Sequence, residues 1–498
     1  MATLCCGGAL AWFSAHGYTL YYGDAAAHLN VARRVVDSRT PGYDQIGTVW
    51  LPIPHVAMMP LVNTDTWWRD GLAGAIPAAI ANLGASLGLF LLVRHLAGST
   101  GGWTAMLCYL ANPNLMYLGS IPMTEPFFLC ALFGMLYAGS RADSVGWAAV
   151  AGVFACAGTL IRYEGWFVLP FVALYIGRRS PVGAVVFSLI AGLGPAYWLL
   201  HNLYLEGDPL AFYRGPYSAK AIYQRAIDAH MARSPGDHDW VTAFRYFGAA
   251  ARLVAGWPLM IAGLVGAFLM ARRRLGAEVA LLTLPPLFYI WGMHSSGNPI
   301  FMPHLYPFSY YNTRYGLAAM PLLLCGAGML GGISRVLPPL LVAGSLASGN
   351  WICWRESQVN SESRRAWTEQ AAIYLRENYR GGGIATGFGD LAGVYQQAGI
   401  PLAETVNECN SPHWMALVAR PDLFLREEWA VTIAGDPVDS AVAKARSRGP
   451  LYDLVHTIQV KGAPDVRIYR FRSRLGLRVP TEEELEKSQI AWEEAEVR

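Results

Sequence analysis

Residues 20–55, LYYGDAAAHLNVARRVVDSRTPGYDQIGTVWLPIPH, decide how the chain is read. A wholly apolar first segment runs straight into Gly23-Asp24, and a helix-like stretch follows with Asp24 and His28 four residues apart. A carboxylate at the mouth of a membrane helix is costly to keep there, which marks Asp24 as a residue with a task. Leu29, Ala32 and Val36 recur at helical spacing while Asn30, Arg33, Arg34 and Asp37 take other faces, the pattern of an amphipathic helix lying at an interface. Thr40-Pro41-Gly42 is expected to end it. Trp50-Leu51-Pro52-Ile53-Pro54-His55 is expected to be irregular, because two prolines remove donors and restrict their neighbours. Irregular backbone beside a membrane lines a cavity or buries against protein.

The chain has 498 residues, of which 54% are hydrophobic and 15% charged, and its mean hydropathy is +0.28. That is the composition of a polytopic membrane protein; charged residues make up about a quarter of an ordinary soluble domain. Here they crowd into the last part of the chain, beyond position 354. The formal net charge of +3 reflects Arg in short loops, a topology signal, and gives no reason to expect a nucleic-acid partner. The opening MATLCCGGALAWF lacks the basic flank and cleavage pattern of a signal peptide and is expected to be a retained membrane helix. Eight cysteines are present, with no CxxC and no Cys/His cluster at zinc spacing. Cys353 and Cys409 alone are expected to face an oxidising compartment together, and spacing does not decide whether they pair.

A span needs roughly 20 apolar residues, and about eleven candidates, some short, are found. They fall near 3–22, 72–93, 102–118, 126–139, 146–161, 165–177, 181–203, 252–271, 277–293, 315–330 and 336–353. With a cytoplasmic N-terminus the inner loops hold Arg94, Arg141, Arg178-Arg179, Arg272-Arg273-Arg274 and Arg335, as the positive-inside bias asks. The opposite face then receives Asp24, Glu125, Arg162, Glu164, the outer loops 23–71, 205–250 and 294–314, and the C-terminal region. Within the second loop GDPLAFYRGPYSAKAIYQRAIDAH reads as a turn and a second interfacial helix carrying Arg214 and Lys220. The third, HSSGNPIFMPHLYPFSYYNTR, has three prolines and an aromatic end that includes Tyr311.

From 354 the chemistry changes. SESRRAWTEQAAIYLREN reads as an amphipathic helix closed by Gly381-Gly382-Gly383. GIATGF, IPLAETV and WAVTIAG read as strands between the helical runs DLAGVYQQAG, HWMALVAR and VDSAVAKARS, and YDLVHTIQV and VRIYRF read as an antiparallel pair. TEEELEKSQIAWEEAEV reads as a charged terminal helix or tail. Gly387-Phe388-Gly389-Asp390 lacks the third glycine and the Lys of a phosphate loop, which argues against a nucleotide site. The fold class is thus mostly α: a membrane domain over 1–353 and a small α/β domain over 354–498 on the extracytoplasmic side.

The phrases GDAAAHLNVARRVVDSRTPG, GTVWLPIPH, MTEPFF, LIRYEGW and NTRYGL together resemble the glycosyltransferase C superfamily. Within it the chain is most similar to bacterial relatives of the protein O-mannosyltransferases and the aminoarabinose transferase, well over 1–350 and in outline beyond. The resemblance implies a multi-spanning inverting hexosyltransferase in the bacterial plasma membrane. It moves a sugar, mannose by the family's weight, from a polyprenyl phosphate donor to a protein, lipid or glycan acceptor on the outer face. The family's first-loop acid matches Asp24 and its second acidic position matches Glu125. Familiar members often carry an Asp-Glu pair in the first loop, whereas here Ala25 follows Asp24.

Transfer from a lipid phosphate needs a base for the acceptor hydroxyl and cations for the departing phosphate. Asp24 is expected to be the base; its bland alternative is to cap the following helix. Glu125 is expected to orient acceptor or metal, against the alternative of a helix start capped by Thr124. Arg314 opens a helix on the face the basic loops avoid, and a planar guanidinium gripping phosphate supplies the reason. Arg214 and Lys220 are weaker candidates for that charge. His28, His55, Arg162, Glu164, His304 and Tyr311 complete the expected pocket, each with a structural alternative: Arg162 and Glu164 as snorkelling anchors beside the Tyr163 and Trp166 belt, the histidines as satisfied packing residues. Asp24 and Glu125 are compatible with a divalent Mg or Mn ion or with none. The alternative class is a lipid-linked-sugar transporter, whose polar sites usually lie at the midplane within repeats that this chain lacks.

Overall fold

The computed structural model describes residues 1–334, 336–348, 350–389, 391–445 and 451–472. The charged tail read over 481–497, Arg335 and Asp390 lie outside them. The chain divides into two compact units. One holds Met1–His28, Gly47–Met58 and Asp70–Val359; the other holds Leu29–Ile46, Met59–Arg69 and Asn360–Arg498.

The first unit is helical. Four helices are long and apolar enough to cross a membrane among the described residues, Leu72–Ala111, Pro181–Glu206, Gly276–His294 and Thr313–Gly331, and a bent pair makes a fifth. Ala2–Ala15, Ile53–Val62, Glu125–Ser140, Val145–Thr159 and Glu164–Gly177 are apolar but shorter. The chain is therefore an integral membrane protein, with fewer full-length spans than the eleven candidates counted from hydropathy. The first candidate is helical only to Ala15, and Leu337–Ser348 stops before a new helix begins at Ile352.

Two glycines account for the largest differences in path. At Gly98 φ is +81° and breaks the 40-residue run Leu72–Ala111. Beyond it the chain doubles back, so that Phe90 and Trp103 meet at 4.9 Å and the Tyr109 hydroxyl donates to Asn82 at 2.5 Å. The two candidates 72–93 and 102–118 are thus arms of one hairpin. At Gly256 φ is +74°, and the helices Trp240–Ala255 and Trp257–Arg272 meet at 109°. The single span expected at 252–271 is corrected accordingly: Gly256 and Pro258 turn the chain, and a β-carbon at 256 would lie 2.2 Å from the Ser348 hydroxyl oxygen.

The first loop is also more helical than its prolines suggest. Gly23–Arg34 is a helix that stops before Thr40-Pro41-Gly42, and Ile53–Val62 is another. Pro54 falls in the first turn of the latter, where its missing N–H has no intrahelical partner to lose, so only the residues before Ile53 are irregular. The second loop is trimmed at both ends, because helices run on to Glu206 and resume at Trp240; the expected helix within it is Ala219–Asp228.

In the second unit the helix Ile352–Asn378, which begins in the first, leads through three glycines of positive φ into a five-stranded sheet. Its strands are β1 (Ile384–Thr386), β2 (Thr405–Val406), β3 (Trp429–Ile433), β4 (Tyr452–Ile458) and β5 (Val466–Phe471), in the order β2-β1-β3-β5-β4. β1 runs parallel to β2 and β3, while β5 is antiparallel to β3 and β4. Each strand and helix expected between 383 and 472 has a counterpart among the described residues. The Phe388 and Gly389 amides donate to the Glu408 carboxylate at 2.8 and 3.4 Å, which satisfies the loop that a phosphate loop would leave open.

Loop residues share this unit with the sheet. Asp37 accepts from the amides of Leu402 and Ala403 at 3.2 and 3.0 Å, and the Asn410 amide reaches Ser38 and Thr40 at 3.0 Å. Arg33 is buried between Asp37 and Asp65. Cys353 and Cys409 are both free thiols.

Candidate active site

Asp24 sits in the first turn of Gly23–Arg34, and its carboxylate turns to Arg314 instead of capping. One terminal nitrogen of Arg314 donates to Asp24 Oδ2 at 2.5 Å, and its Nε lies 3.0 Å from Glu125 Oε1. The same Glu125 oxygen is 3.1 Å from Arg162, whose Nε donates to Glu164 Oε1 at 2.7 Å. Four loops or helix starts far apart in sequence thus build one alternating row, Asp24–Arg314–Glu125–Arg162–Glu164.

Several neighbours fix this row. Arg162 donates to the Thr124 hydroxyl at 2.6 Å, so Thr124, expected to cap its helix, serves the arginine and makes no side-chain cap. Arg162 also donates to the Tyr289 hydroxyl, which in turn donates to Glu164. Arg314 lies over the rings of Tyr22 and Tyr315 at 4.9 and 5.2 Å. Stacking on aromatic rings helps hold a guanidinium in place.

Burial is uneven along the row. The Arg314 side chain is 6% exposed and Asp24 is 40% exposed. Buried charges persist only when paired, and removing one partner strands the other. Yet pairing is incomplete: among the described residues Arg314 Nε is fully buried and, though 3.0 Å from Glu125 Oε1, makes no hydrogen bond. Glu125 Oε2 is fully buried and equally without one. Buried polar atoms are nearly always satisfied in native proteins, so these point to groups supplied by a ligand.

His28 and His55 adjoin the row. Nδ1 of His28 is 2.9 Å from Nε2 of His55, with the Trp50 ring 4.2 Å away. Burial pushes the His28 imidazole down to about 3, helped by the positive charges of Arg314 and Arg162, so it is neutral in ordinary buffers. Tyr311 is half-exposed, and the partial burial of its hydroxyl together with the nearby Asp24 carboxylate raises its pKa.

Three expected residues do not join. His304 is exposed and 3.2 Å from Arg252. Lys220 covers the Tyr213 ring at 5.1 Å, and Arg214 reaches Asp208 at 3.8 Å, both on the exposed second loop. They sit where water screens a charge and no contact links them to Arg314. Tyr22, Tyr289, Tyr315 and Glu356 were not singled out from sequence. The tyrosines sit among many aromatic residues of a membrane protein, and Glu356 lies in a charged run that reads as a soluble helix.

No group of three or more His, Cys, Asp or Glu side chains among the described residues could hold a metal ion. Asp24 and Glu125 both face the guanidinium of Arg314.

Residues 68–194 match the family described as dolichyl-phosphate-mannose-protein mannosyltransferase. No curated protein matches the chain in sequence. Among solved structures, ArnT from Cupriavidus metallidurans bound to undecaprenyl phosphate is similar with a TM-score of 0.53 and 13% identity, over 94% of this chain and 98% of that one. The same protein in the apo state gives 0.53 at 12% identity, over 89% and 93%. The chain thus shares its fold with ArnT over nearly its whole length, and residues 68–194 match the mannosyltransferase family model.

Proposed function

We propose that the protein is a membrane-embedded inverting glycosyltransferase that takes a sugar, mannose-like by its matching family, from a polyprenyl phosphate to an acceptor hydroxyl. The observation that carries this reading is the incomplete pairing of the Asp24–Arg314–Glu125 row. Asp24 Oδ1 takes the acceptor proton as the acceptor oxygen bonds to the anomeric carbon. The bond from that carbon to the phosphate oxygen breaks, and the electron pair leaves with the polyprenyl phosphate. The terminal nitrogen of Arg314 that does not bond Asp24 meets the growing phosphate charge. Glu125 Oε2 accepts from a substrate hydroxyl and orients it.

The ion pair couples the two events. The row holds three carboxylates against two guanidiniums. Protonating Asp24 brings them into balance and loosens its claim on Arg314 at the moment the phosphate needs that cation. ArnT binds undecaprenyl phosphate, which supports a donor of this class for a chain of the same fold. The reading places the site and the 360–498 region on the extracytoplasmic side, where the Arg-poor loops lie.

The test is Asp24→Asn with a radiolabelled polyprenyl-phosphate sugar. Loss of a general base is expected to cost about 10²–10⁴ in turnover with the protein still folded. Unchanged transfer would remove Asp24 from the chemistry, and lipid-linked sugar crossing vesicles without transfer would favour a transporter.

A further inference from the structure

We propose that Glu356 is a positioning residue for the Asp24–Arg314 pair, acting through Tyr22 and Thr313; the inference rests on the transferase reading above. Four donors converge on this buried carboxylate. Oε1 accepts from the Tyr22 hydroxyl at 2.7 Å and from the Asn312 amide at 2.9 Å. Oε2 accepts from the Thr313 amide at 2.9 Å and from the Thr313 hydroxyl. A carboxylate has about four lone-pair sites, so Glu356 has none left for a substrate or for a proton in transit. Glu125, with an open oxygen, is its opposite.

What the four donors have in common is their place in the chain. Tyr22 lies two residues before Asp24, and Thr313 immediately precedes Arg314. One side chain therefore ties down the flanks of both partners of an ion pair whose members are 290 positions apart. Tyr22 is held a second time, by Arg314 over its ring at 4.9 Å. Asn312, at φ 54°, turns the chain so that two successive amides point at Glu356 and the next side chain returns to Asp24. Without the carboxylate those amides are buried with no acceptor and the turn has nothing to close on. Gln at 356 keeps the volume but replaces one acceptor oxygen by two donors that face donors.

The experiment uses full-length protein in detergent. It measures undecaprenyl phosphate binding and transfer kinetics with donor and acceptor varied separately. Glu356→Gln is expected to lower kcat/KM for the donor about 10²-fold, the scale of a misplacement of about 1 Å at a reacting centre. Phosphate affinity should fall with it while acceptor KM is unchanged, and Glu356→Asp should recover part of both. Tyr22→Phe, which removes one donor and keeps the ring, should give a smaller loss of the same pattern and carries the test if Glu356→Gln fails to fold. Wild-type donor kinetics and phosphate affinity in the variants would overturn the inference alone. Wild-type protein that neither binds undecaprenyl phosphate nor transfers sugar would overturn the transferase reading, and the inference with it.

Discussion

The helix Gly23–Arg34 has an ionic group near each end, and the two are built to opposite standards. At its C-terminal end Arg33 uses every donating nitrogen: Nε on Asp37 at 2.7 Å, one terminal nitrogen on the Val62 carbonyl at 2.5 Å, the other on Asp65 at 2.8 Å. Its guanidinium also covers Trp68 at 4.5 Å. At the N-terminal end the Asp24 side chain is 40% exposed and its partner Arg314 has a buried Nε that makes no hydrogen bond. Both arginines are buried and both bridge two carboxylates. Saturation, not charge or burial, separates a clamp from a site: a filled network specifies structure, and one with vacant valences has been left ready for something else.

The contrast can be broken most sharply at Arg314. Arg314→Lys keeps the charge but loses the planar fork that serves Asp24 and Glu125 together, and transfer is expected to fall about 10²–10³-fold, the scale set by loss of a preorganised charge-stabilising donor. Near-normal transfer would mean that a point charge suffices and the bridge is ornamental. Arg33→Ala should do the reverse. Stranding Asp37 and leaving the Val62 carbonyl unpaired should cost roughly 3 kcal/mol of stability by chemical unfolding, while protein that remains folded keeps its affinity for polyprenyl phosphate. A specific loss of lipid binding would erase the distinction drawn here.

The smallest effect concerns His28. Its folded-state pKa of about 3 is below its ordinary 6.5, so between those values the unfolded chain binds a proton that the folded chain refuses. Stability is therefore unaffected above about pH 6.5 and is lost as pH falls from there toward about 3. His28→Asn should flatten the decline over that window in a pH series of unfolding curves. An unchanged slope would assign the acid sensitivity to other groups.

Much of this was legible in the residues. Short apolar and β-branched runs alternating with helical runs after 383 marked the strands of the sheet, because each run's character is local. Asp24, Glu125, Arg162, Glu164 and Arg314 stood out because an ionisable side chain in an apolar setting is conspicuous. What stayed hidden depends on long-range geometry. The bend at Gly256 brings its backbone so close to Ser348 that a side chain would not fit, which no hydropathy window can register. Glu356 is inconspicuous among Arg355, Ser357 and Gln358, and only the fold brings Tyr22 and Thr313 to it. Conversely Lys220 and Arg214 are as cationic as Arg314, and sequence had no measure of the burial that separates them.

The sharing of loop and sheet residues within one compact unit bears on how relatives can be recombined. A chimaera that replaced only the chain after Val359 would bring a sheet whose partners at 29–46 and 59–69 belong to another protein. Asp37 would then face foreign backbone in place of the Leu402 and Ala403 amides, and Ser38 and Thr40 would lose Asn410. Three separate stretches must travel together in any such graft. An exchange of this unit by simple splicing is thereby made hard for the engineer and for recombination in nature alike.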